Sequence, residues 1–539
     1  MPFTRRRSFA FSLAVWRAHL VREGRRDFLL IGRYMGKPQA LGSACPNPGC
    51  PETDSNRRHE DFQSSALPTE LSGPRRARMP DAPFLSRTAT RTPVKASSDA
   101  PQQALDAHEC GAVSARRTRR YGATAAPIWA RAHGTQLRDA TGRTYLDLTS
   151  SFGAAPLGQT NLRWLAALVK QGLTLTHGLG DLHPNAAKAR LLAALGALAP
   201  WPNARVMLGL NGADAIDAAL KTALLATGRP HVVAFRGGYH GLMLGPLAVC
   251  GLSDAFRQPF AAALRLKVSW LDFPTTAQDA EATLEAFASL LRRPKPPGLV
   301  LFEPILGRGG VTRPADGFLA QLTHLARKHG CLSAADEILT GLGRTGVCWE
   351  STAQGALPDM LCAGKALGAG LPISALLLNP KSAEAWSERG AALGALHTAT
   401  YFGSPLLCAA ALAYLEALQR PSFVQQVRAA GEAMLCHLRR ALSPLGDTVR
   451  VVGRGLLIGI IFENGPIALA ALGRLRERGI LALLAGASGE VLQLLPPLNL
   501  SAGAYVRMSH AVADAILGAE GTLAQRLESA RPETDDAAA

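Results

Sequence analysis

Leu299-Val-Leu-Phe-Glu303, Gly317-Phe-Leu-Ala-Gln-Leu-Thr-His-Leu-Ala-Arg-Lys328 and Cys331-Leu-Ser-Ala-Ala-Asp336 decide the fold of this chain. The outer two segments are short apolar runs that each close on a carboxylate, the length and composition of buried strands. The middle segment carries its apolar residues at helical spacing. Strand, helix and strand in succession form a crossover unit, whose strands run parallel. The same reading extends outward. Val232–Phe235 lies upstream, and Met360–Cys362 and Ile373–Leu378 lie downstream, with helical spacing over Ala213–Leu225 and Ala277–Leu291. An α/β fold follows: a mainly parallel sheet flanked by helices on both faces. After about Pro405 the pattern changes to a long helical stretch and an α+β segment with strands at Gly455–Phe462 and Val491–Leu495, which predicts a second, smaller domain.

The chain has 539 residues, 47% of them hydrophobic, enough for a large core and for two or more domains. No stretch reaches the ~18 uninterrupted apolar residues of a membrane span. The net charge of +17 suggests nucleic acid until it is located. Residues 1–120 hold 21 Lys/Arg and 11 Asp/Glu, which leaves only +7 over the other 419 residues. No basic groove with interleaved aromatics is visible, so nucleic acid is not an expected partner. The nine cysteines are odd in number and irregularly spaced, unlike a disulfide framework. Cys45 and Cys50 have no second pair to complete a zinc site, so no metal is expected. Reduced thiols in a cytoplasmic protein are the expectation.

Residues 1–110 are rich in Arg, Pro, Ser and Thr without periodicity and read as a disordered N-terminal extension. Arg5-Arg6-Arg7-Ser8-Phe9 has a twin-arginine flavour, but the apolar run after it stops at Arg17 and no cleavage site follows in register. A signal peptide is therefore not expected. A physiological start further on, for instance at Met79, is the plainer reading.

In an open α/β sheet, ligands bind beyond the carboxyl ends of the strands. Asp336 and Glu303 each close a strand. Either could be a cap or a rim carboxylate, and Asp336 could instead pair with a buried cationic ring nitrogen. Lys365, in Ala363-Gly-Lys-Ala366, follows the Met360–Cys362 strand. It is not a P-loop lysine, since Asp359 and Ala366 stand where that motif needs Gly and Ser/Thr. A lysine at a strand end beside a buried sheet is a Schiff-base candidate, because desolvation or a nearby cation frees its amine. Gly341-Leu-Gly343-Arg-Thr-Gly346 has the glycine spacing of a dinucleotide site, yet Val347-Cys-Trp-Glu-Ser351 does not read as the helix such a site opens. Asn211-Gly-Ala-Asp-Ala215 precedes an amphipathic helix, where small residues expose N–H groups suited to a phosphate; an ordinary cap by Asn211 is the alternative. Gly237-Gly238-Tyr239-His240-Gly241 sets an aromatic on a glycine-rich turn, either packed or stacked on a flat cofactor. A phosphate cradle, an aromatic face, a carboxylate for a ring nitrogen and an amine are together the fittings of pyridoxal phosphate (PLP).

From about Tyr121 to Leu500 the motif order resembles the class III aminotransferases, of PLP-dependent transferase fold type I. Asn211-Gly-Ala-Asp-Ala215 resembles the family's Ser-Gly-Thr-Glu-Ala, and Gly238-Tyr-His-Gly241 its Tyr-His-Gly turn. Glu303-Pro-Ile-Leu-Gly-Arg-Gly-Gly310 resembles Glu-Pro-x-x-Gly-x-Gly-Gly. Asp336-Glu-Ile-Leu-Thr-Gly-Leu-Gly-Arg-Thr-Gly346 resembles Asp-Glu-Val-x-Thr-Gly-Phe-Gly-Arg-Thr-Gly. Pro358-Asp359, Gly364-Lys365 and Gly370-Leu-Pro372 resemble the lysine motif, and Thr400-Tyr-Phe-Gly-Ser-Pro405 the Thr-x-x-Gly-x-Pro motif. Gly453-Arg-Gly-Leu456 and Pro496-Pro-Leu498 fit the small-domain signatures.

The resemblance implies roles. Lys365 would form the imine with PLP and act as the catalytic base, and Asp336 would keep the pyridine nitrogen protonated. Ile338 would pack on one ring face and Tyr239 on the other, with His240 in the same cofactor-binding set. Gly212 and Ala213 would offer N–H groups to the phosphate, and Glu303 would sit on the substrate side. Thr400 would reach the phosphate of a neighbouring subunit, making a homodimer the working unit. A small-molecule amine donor and a carbonyl acceptor would react in ping-pong order. The resemblance also implies a division of the chain: 111–175 contributing to the small domain, 176–405 the large PLP-binding domain, 406–525 the small domain and 526–539 a disordered tail.

Three positions depart from the family pattern. Asn211 replaces Ser, and Leu339 stands where many members are polar. Gln493 stands where many amino-acid-using members have the Arg that grips a substrate carboxylate, and Gln cannot replace that charge. Either another arginine supplies it, Arg308 and Arg236 being the candidates, or the donor has no α-carboxylate. A 2,1-aminomutase or another class III-fold PLP enzyme would use the same core residues. A non-catalytic PLP-fold protein with a basic RNA-binding tail is the more remote alternative.

Overall fold

The computed structural model describes residues 126–180, 182–393 and 396–518. The readings of residues 1–110, Met79, Cys45, Cys50 and residues 526–539 concern positions outside the described residues.

Three short strands come first, β1 (Trp129–His133), β2 (Gln136–Asp139) and β3 (Thr144–Asp147), paired antiparallel in sequence. The main sheet follows with seven: β4 (Arg205–Gly209), β5 (His231–Phe235), β6 (Lys267–Leu271), β7 (Leu299–Phe302), β8 (Leu332–Asp336), β9 (Met360–Ala363) and β10 (Ser374–Leu378). Their order across the sheet is β4-β10-β9-β8-β7-β5-β6. β5 pairs parallel with β6 and β7, and the parallel pairing continues through β8 to β9. β10 alone runs against its neighbours β4 and β9. The link from β9 to β10 is shorter than the dozen or so residues a parallel crossover needs, so the chain turns back instead. Lys365 lies in that link.

The central strands are mostly apolar because both faces of the sheet are covered. Side chains alternate across a strand, and two separate cores result. Val233, Phe235, Val300, Phe302, Leu361 and Leu377 face one. Val232, Ala234, Leu299, Leu301, Met360 and Leu376 face the other. Helix α1 (Gly212–Thr227) covers the second face with Ala215, Ile216 and Ala219. α2 (Ala277–Leu291), α3 (Phe318–Lys328) and α4 (Pro405–Leu418) bury Phe287, Leu322 and Leu415 in the first core.

The expected helices at 277–291 and 317–328 and five of the seven main strands lie where the sequence puts them, within a residue or two. β4 and β6 carried no signal. They are the two edges of the sheet, only partly buried, and so lack the continuous apolar run of the central strands.

The C-terminal part holds β11 (Val449–Arg454), β12 (Leu457–Phe462), β13 (Ile480–Leu481), β14 (Leu483–Ala485) and β15 (Val491–Leu494). β11, β12, β15 and β14 form an antiparallel sheet, while β13 pairs parallel with β3 from the start of the described chain. Leu495 N–H donates to the Leu148 carbonyl at 2.6 Å and Leu498 N–H to that of Pro156 at 2.7 Å. No helix of the described residues is long and apolar enough to cross a membrane.

Candidate active site

Six strands of the main sheet run the same way, so their carboxyl ends share one edge, and the residues singled out from the sequence emerge there. β8 ends on Asp336, which is 4% exposed. Its Oδ2 lies 2.7 Å from Nδ1 of buried His240, and its Oδ1 accepts the Ile338 N–H at 3.1 Å. The other ring nitrogen of His240, Nε2, is buried without a hydrogen-bond partner. The glycines of the turn after β5 make this possible. A Cβ on Gly238 would stand 3.1 Å from His240 Nε2, and Gly237 and Gly241 have φ of +82° and +109°, where an L side chain is strained.

Glu303 follows β7 and is buried. Its Oε1 accepts the Tyr239 N–H at 2.8 Å and its Oε2 the Gly307 N–H at 3.0 Å, so one carboxyl ties two loops together. Burial, and then the charge of Asp336, push its carboxyl up to about 7. Glu337 is also raised to about 7 by burial, with Ser351 and Thr340 bonded to it. A carboxyl with a raised folded pKa stabilises the fold at low pH and loses that contribution as pH climbs through the folded value. Stability is therefore expected to fall between pH 5 and pH 8, by roughly 2–3 kcal/mol from Glu337 alone. Glu337→Gln is expected to flatten the profile. Urea midpoints at the two pH values check this, and an equally steep profile in the variant would refute it.

Lys365 opens the short turn after β9 with φ +37°, a conformation uncommon outside glycine. Burial lowers its amine pKa, opposed by the charges of Asp336 and Glu303 and assisted by Arg308 and Arg344. Ile338 is wedged nearby. A Cβ on Gly212 would stand 2.7 Å from Ile338 Cδ1, and one on Gly364 3.2 Å from Ile338 Cγ2. A Cβ on Gly241 would meet that of Ala213 at 3.0 Å. The start of α1, the Tyr239–His240 turn, Ile338 and the Lys365 loop are thus packed together. Asn211 does cap α1, in a reciprocal capping box with Asp214; Gly212 and Ala213 follow it, where N–H groups have no carbonyl of their own helix to meet.

Two further positions singled out from the sequence are exposed. Thr400 is exposed, its carbonyl 3.0 Å from His177 Nε2. Arg236 is exposed, with Nε 3.4 Å from Asp272 Oδ1. The Gly341–Gly346 segment opens no helix, in keeping with the sequence reading. It is a tight turn whose Arg344, 1% exposed, donates Nη1 to the carbonyls of Leu456 and Pro496.

A cavity of about 230 Å³ opens beside Lys365, lined by Phe152, Tyr239, Arg308, Leu339, Gln493 and Leu495. Phe152 and Leu495 were not foreseen. Phe152 belongs to a run of four left-handed residues, Ser150 to Gly153, with φ from +42° to +81°. Such a conformation is costly and persists only where surrounding contacts impose it. Here the turn packs on the lysine, since a Cβ on Gly153 would stand 3.1 Å from Leu339 Cδ1 and 3.9 Å from Lys365 Cδ. Only one of its four residues is glycine, so no local signal marks it.

A family model described as aminotransferase class-III matches residues 119–516. The chain belongs to that family. It is accordingly a PLP-dependent transaminase, and its fold is the one expected. Among curated relatives of this class-III aminotransferase is a [LysW]-aminoadipate semialdehyde/glutamate semialdehyde transaminase of Sulfurisphaera tokodaii. The two are 32% identical over 387 residues, which is 72% of this chain and 94% of the relative. The acetylornithine aminotransferase of Mycobacterium bovis is 33% identical over 391 residues, 72% and 91% of the two chains. Among solved structures, a PLP-bound amine transaminase from an uncultivated Pseudomonas species covers 73% of this chain and 95% of its own, at 26% identity and a TM-score of 0.66. The ornithine aminotransferase of Toxoplasma gondii shares the fold at 24% identity and a TM-score of 0.67, covering 79% and 99%.

Proposed function

We propose that this aminotransferase moves an amino group from an amino acid or ω-amine to an oxo acid or aldehyde in two half-reactions, with Lys365 as both the attachment point of PLP and the proton carrier. The observation that carries the reading is the juxtaposition of a buried amine of lowered pKa with a buried Asp–His pair at one sheet edge. The residues present suit the cofactor. Asp336 offers a buried carboxylate to a ring nitrogen, Ile338 and Tyr239 offer faces for a flat ring, and the N–H groups of Gly212 and Ala213 suit a phosphate. The orphaned Nε2 of His240 is a polar atom that a bound group can satisfy.

Bound PLP supplies an aldehyde for the substrate nitrogen and a conjugated ring that withdraws electrons from the adjacent carbon. Asp336, held by His240 and the Ile338 N–H, stabilises positive charge on the ring nitrogen. Lys365 Nζ, uncharged more readily because it is buried, would take the proton from the substrate carbon and hold it within the site. Glu303 fixes the Tyr239 turn and the Gly307 loop, and Leu339 and Leu495 give the cavity buried apolar walls.

Thr400 is proposed to reach the phosphate of a second subunit in a homodimer; its exposure supports this. The division into a large domain over 176–405 and a small one built from 111–175 and 406–525 is part of the same reading, supported by the pairing of β3 with β13. A cytoplasmic setting is proposed from the free thiols, among them buried Cys331, Cys362 and Cys408. The test is a panel of amine donors and carbonyl acceptors read by cofactor absorbance in separate half-reactions. Each productive donor is expected to yield its carbonyl compound before any acceptor is added. Amino groups that return to the same carbon skeleton, with none passed to any acceptor, would make the protein an aminomutase instead.

A further inference from the structure

The cavity beside Lys365 must distinguish one amine from another, and its walls are mostly apolar. The side chains of Phe152, Leu339 and Leu495 are apolar, and Tyr239 adds an aromatic ring with one hydroxyl. Of the described residues lining it, Lys365 and Arg308 are the two cations. Lys365 is committed to the cofactor on the reading above, on which this inference rests. The polar side chain at the remaining position, Gln493, is neutral and already engaged: its Nε2 donates to the Gly307 carbonyl at 2.8 Å, and the residue is 1% exposed.

That bond has a consequence for the next residue. Gly307 is held on both sides, its N–H by Glu303 Oε2 at 3.0 Å and its carbonyl by Gln493 Nε2. The Arg308 carbonyl accepts the Gly486 N–H at 2.8 Å, which ties the loop to the C-terminal sheet region. Gly309 then passes so close to Gly237 that a Cβ would stand 2.5 Å from its carbonyl oxygen. The backbone under Arg308 is therefore fixed from three directions. Its guanidinium lies over the Tyr239 ring, 5.2 Å from the centroid, a contact that favours one orientation of a planar cation. Little conformational freedom remains to be lost when a ligand binds, which is the condition for a strong charged contact.

We infer that Arg308 is the carboxylate receptor of this enzyme and that its amine substrates carry a carboxylate read from the Gly307–Gly310 loop, with Gln493 as a positioning residue for that loop. The other arginine considered from the sequence, Arg236, is exposed beside Asp272 and does not line the cavity. The relatives' names point the same way, since acetylornithine and glutamate semialdehyde both bear a carboxylate.

The test uses PLP-loaded enzyme and two donors of equal chain length, 5-aminopentanoate and pentylamine, in half-reactions read by absorbance. Calorimetric binding of glutarate, which has no amine to react, supplies a readout independent of turnover. The parent is expected to prefer the carboxylated donor. Arg308→Gln is expected to lower the ratio of the two efficiencies, and the affinity for glutarate, by roughly 10- to 100-fold. Arg308→Lys should recover only part of either, because a point charge does not reproduce the two-pronged contact. Arg236→Gln should keep the parental ratio. Conversion of both donors without preference, or an Arg308→Gln ratio equal to the parent's, overturns the assignment of Arg308 and leaves the transaminase reading standing. Failure of both donors and of every other amine overturns that reading, and this one with it.

Discussion

Lys365→Ala is expected to lower amino transfer by at least roughly 10²- to 10⁴-fold, the span ascribed to a positioned general base. The amine is lost at the one place where Asp336, Glu303, Arg308 and Arg344 all act on it, and no other described lysine lines the cavity. Borohydride reduction of the parent, followed by peptide mapping, should find PLP on Lys365 and find no adduct in the variant. A small primary amine added to the variant should restore part of the proton transfer. The replacement leaves no buried charge of its own, so the melting temperature can show that the fold survives. An adduct on a different lysine, or near-parental turnover in the variant, would remove the basis of the proposed mechanism.

The second large effect is expected at Asp336. Asparagine keeps the shape, can still accept the Ile338 N–H and can still meet His240, but it carries no charge. Losing a preorganised charge from a buried site costs roughly 10²- to 10³-fold in rate. Asp336→Asn is therefore expected to retain the fold, to bind PLP with an altered absorbance spectrum, and to transfer amino groups that much more slowly. Parental rates in a variant with an unaltered spectrum would show that the carboxylate does not face the ring nitrogen. Because the aspartate is paired with His240 at 2.7 Å, the same measurements on His240→Gln should move in the same direction by a smaller factor. In that variant the carboxylate stays but its support goes.

Much of the site was legible because its chemistry sits where local pattern changes. Asp336 and Glu303 stand out as charges closing apolar runs, and Lys365 as a lysine just past a buried strand. The turn at Gly237–Gly241 stands out by its glycines, two of which, Gly237 and Gly241, take a backbone that strains any other residue. At Asn211 the cap is what the structure shows: the side chain caps α1 in a capping box with Asp214. The left-handed turn at Ser150–Gly153 was not legible, since three of its residues are types that avoid that conformation, and what holds it lies outside it: Thr149, Ala155 and Gln159 bond to it and Leu339 and Lys365 pack against it. The edge strands β4 and β6 were missed because partial exposure removes the uninterrupted apolar run.

Local sequence was enough for the strand–helix alternation and for placing Asp336, Glu303 and Lys365 at strand ends, because periodicity and the residues that close a strand are set within a dozen positions. Long-range packing settles which arginine shares a cavity with the lysine and that Gln493 bonds to Gly307 there. Gln493 reaches Gly307 across 186 positions of chain, and β3 meets β13 from opposite ends of the described residues. Such contacts are chosen by how the sheets pack and leave no mark in local sequence. Arg236 and Arg308 were equal candidates until packing left one at the surface and set the other beside Lys365.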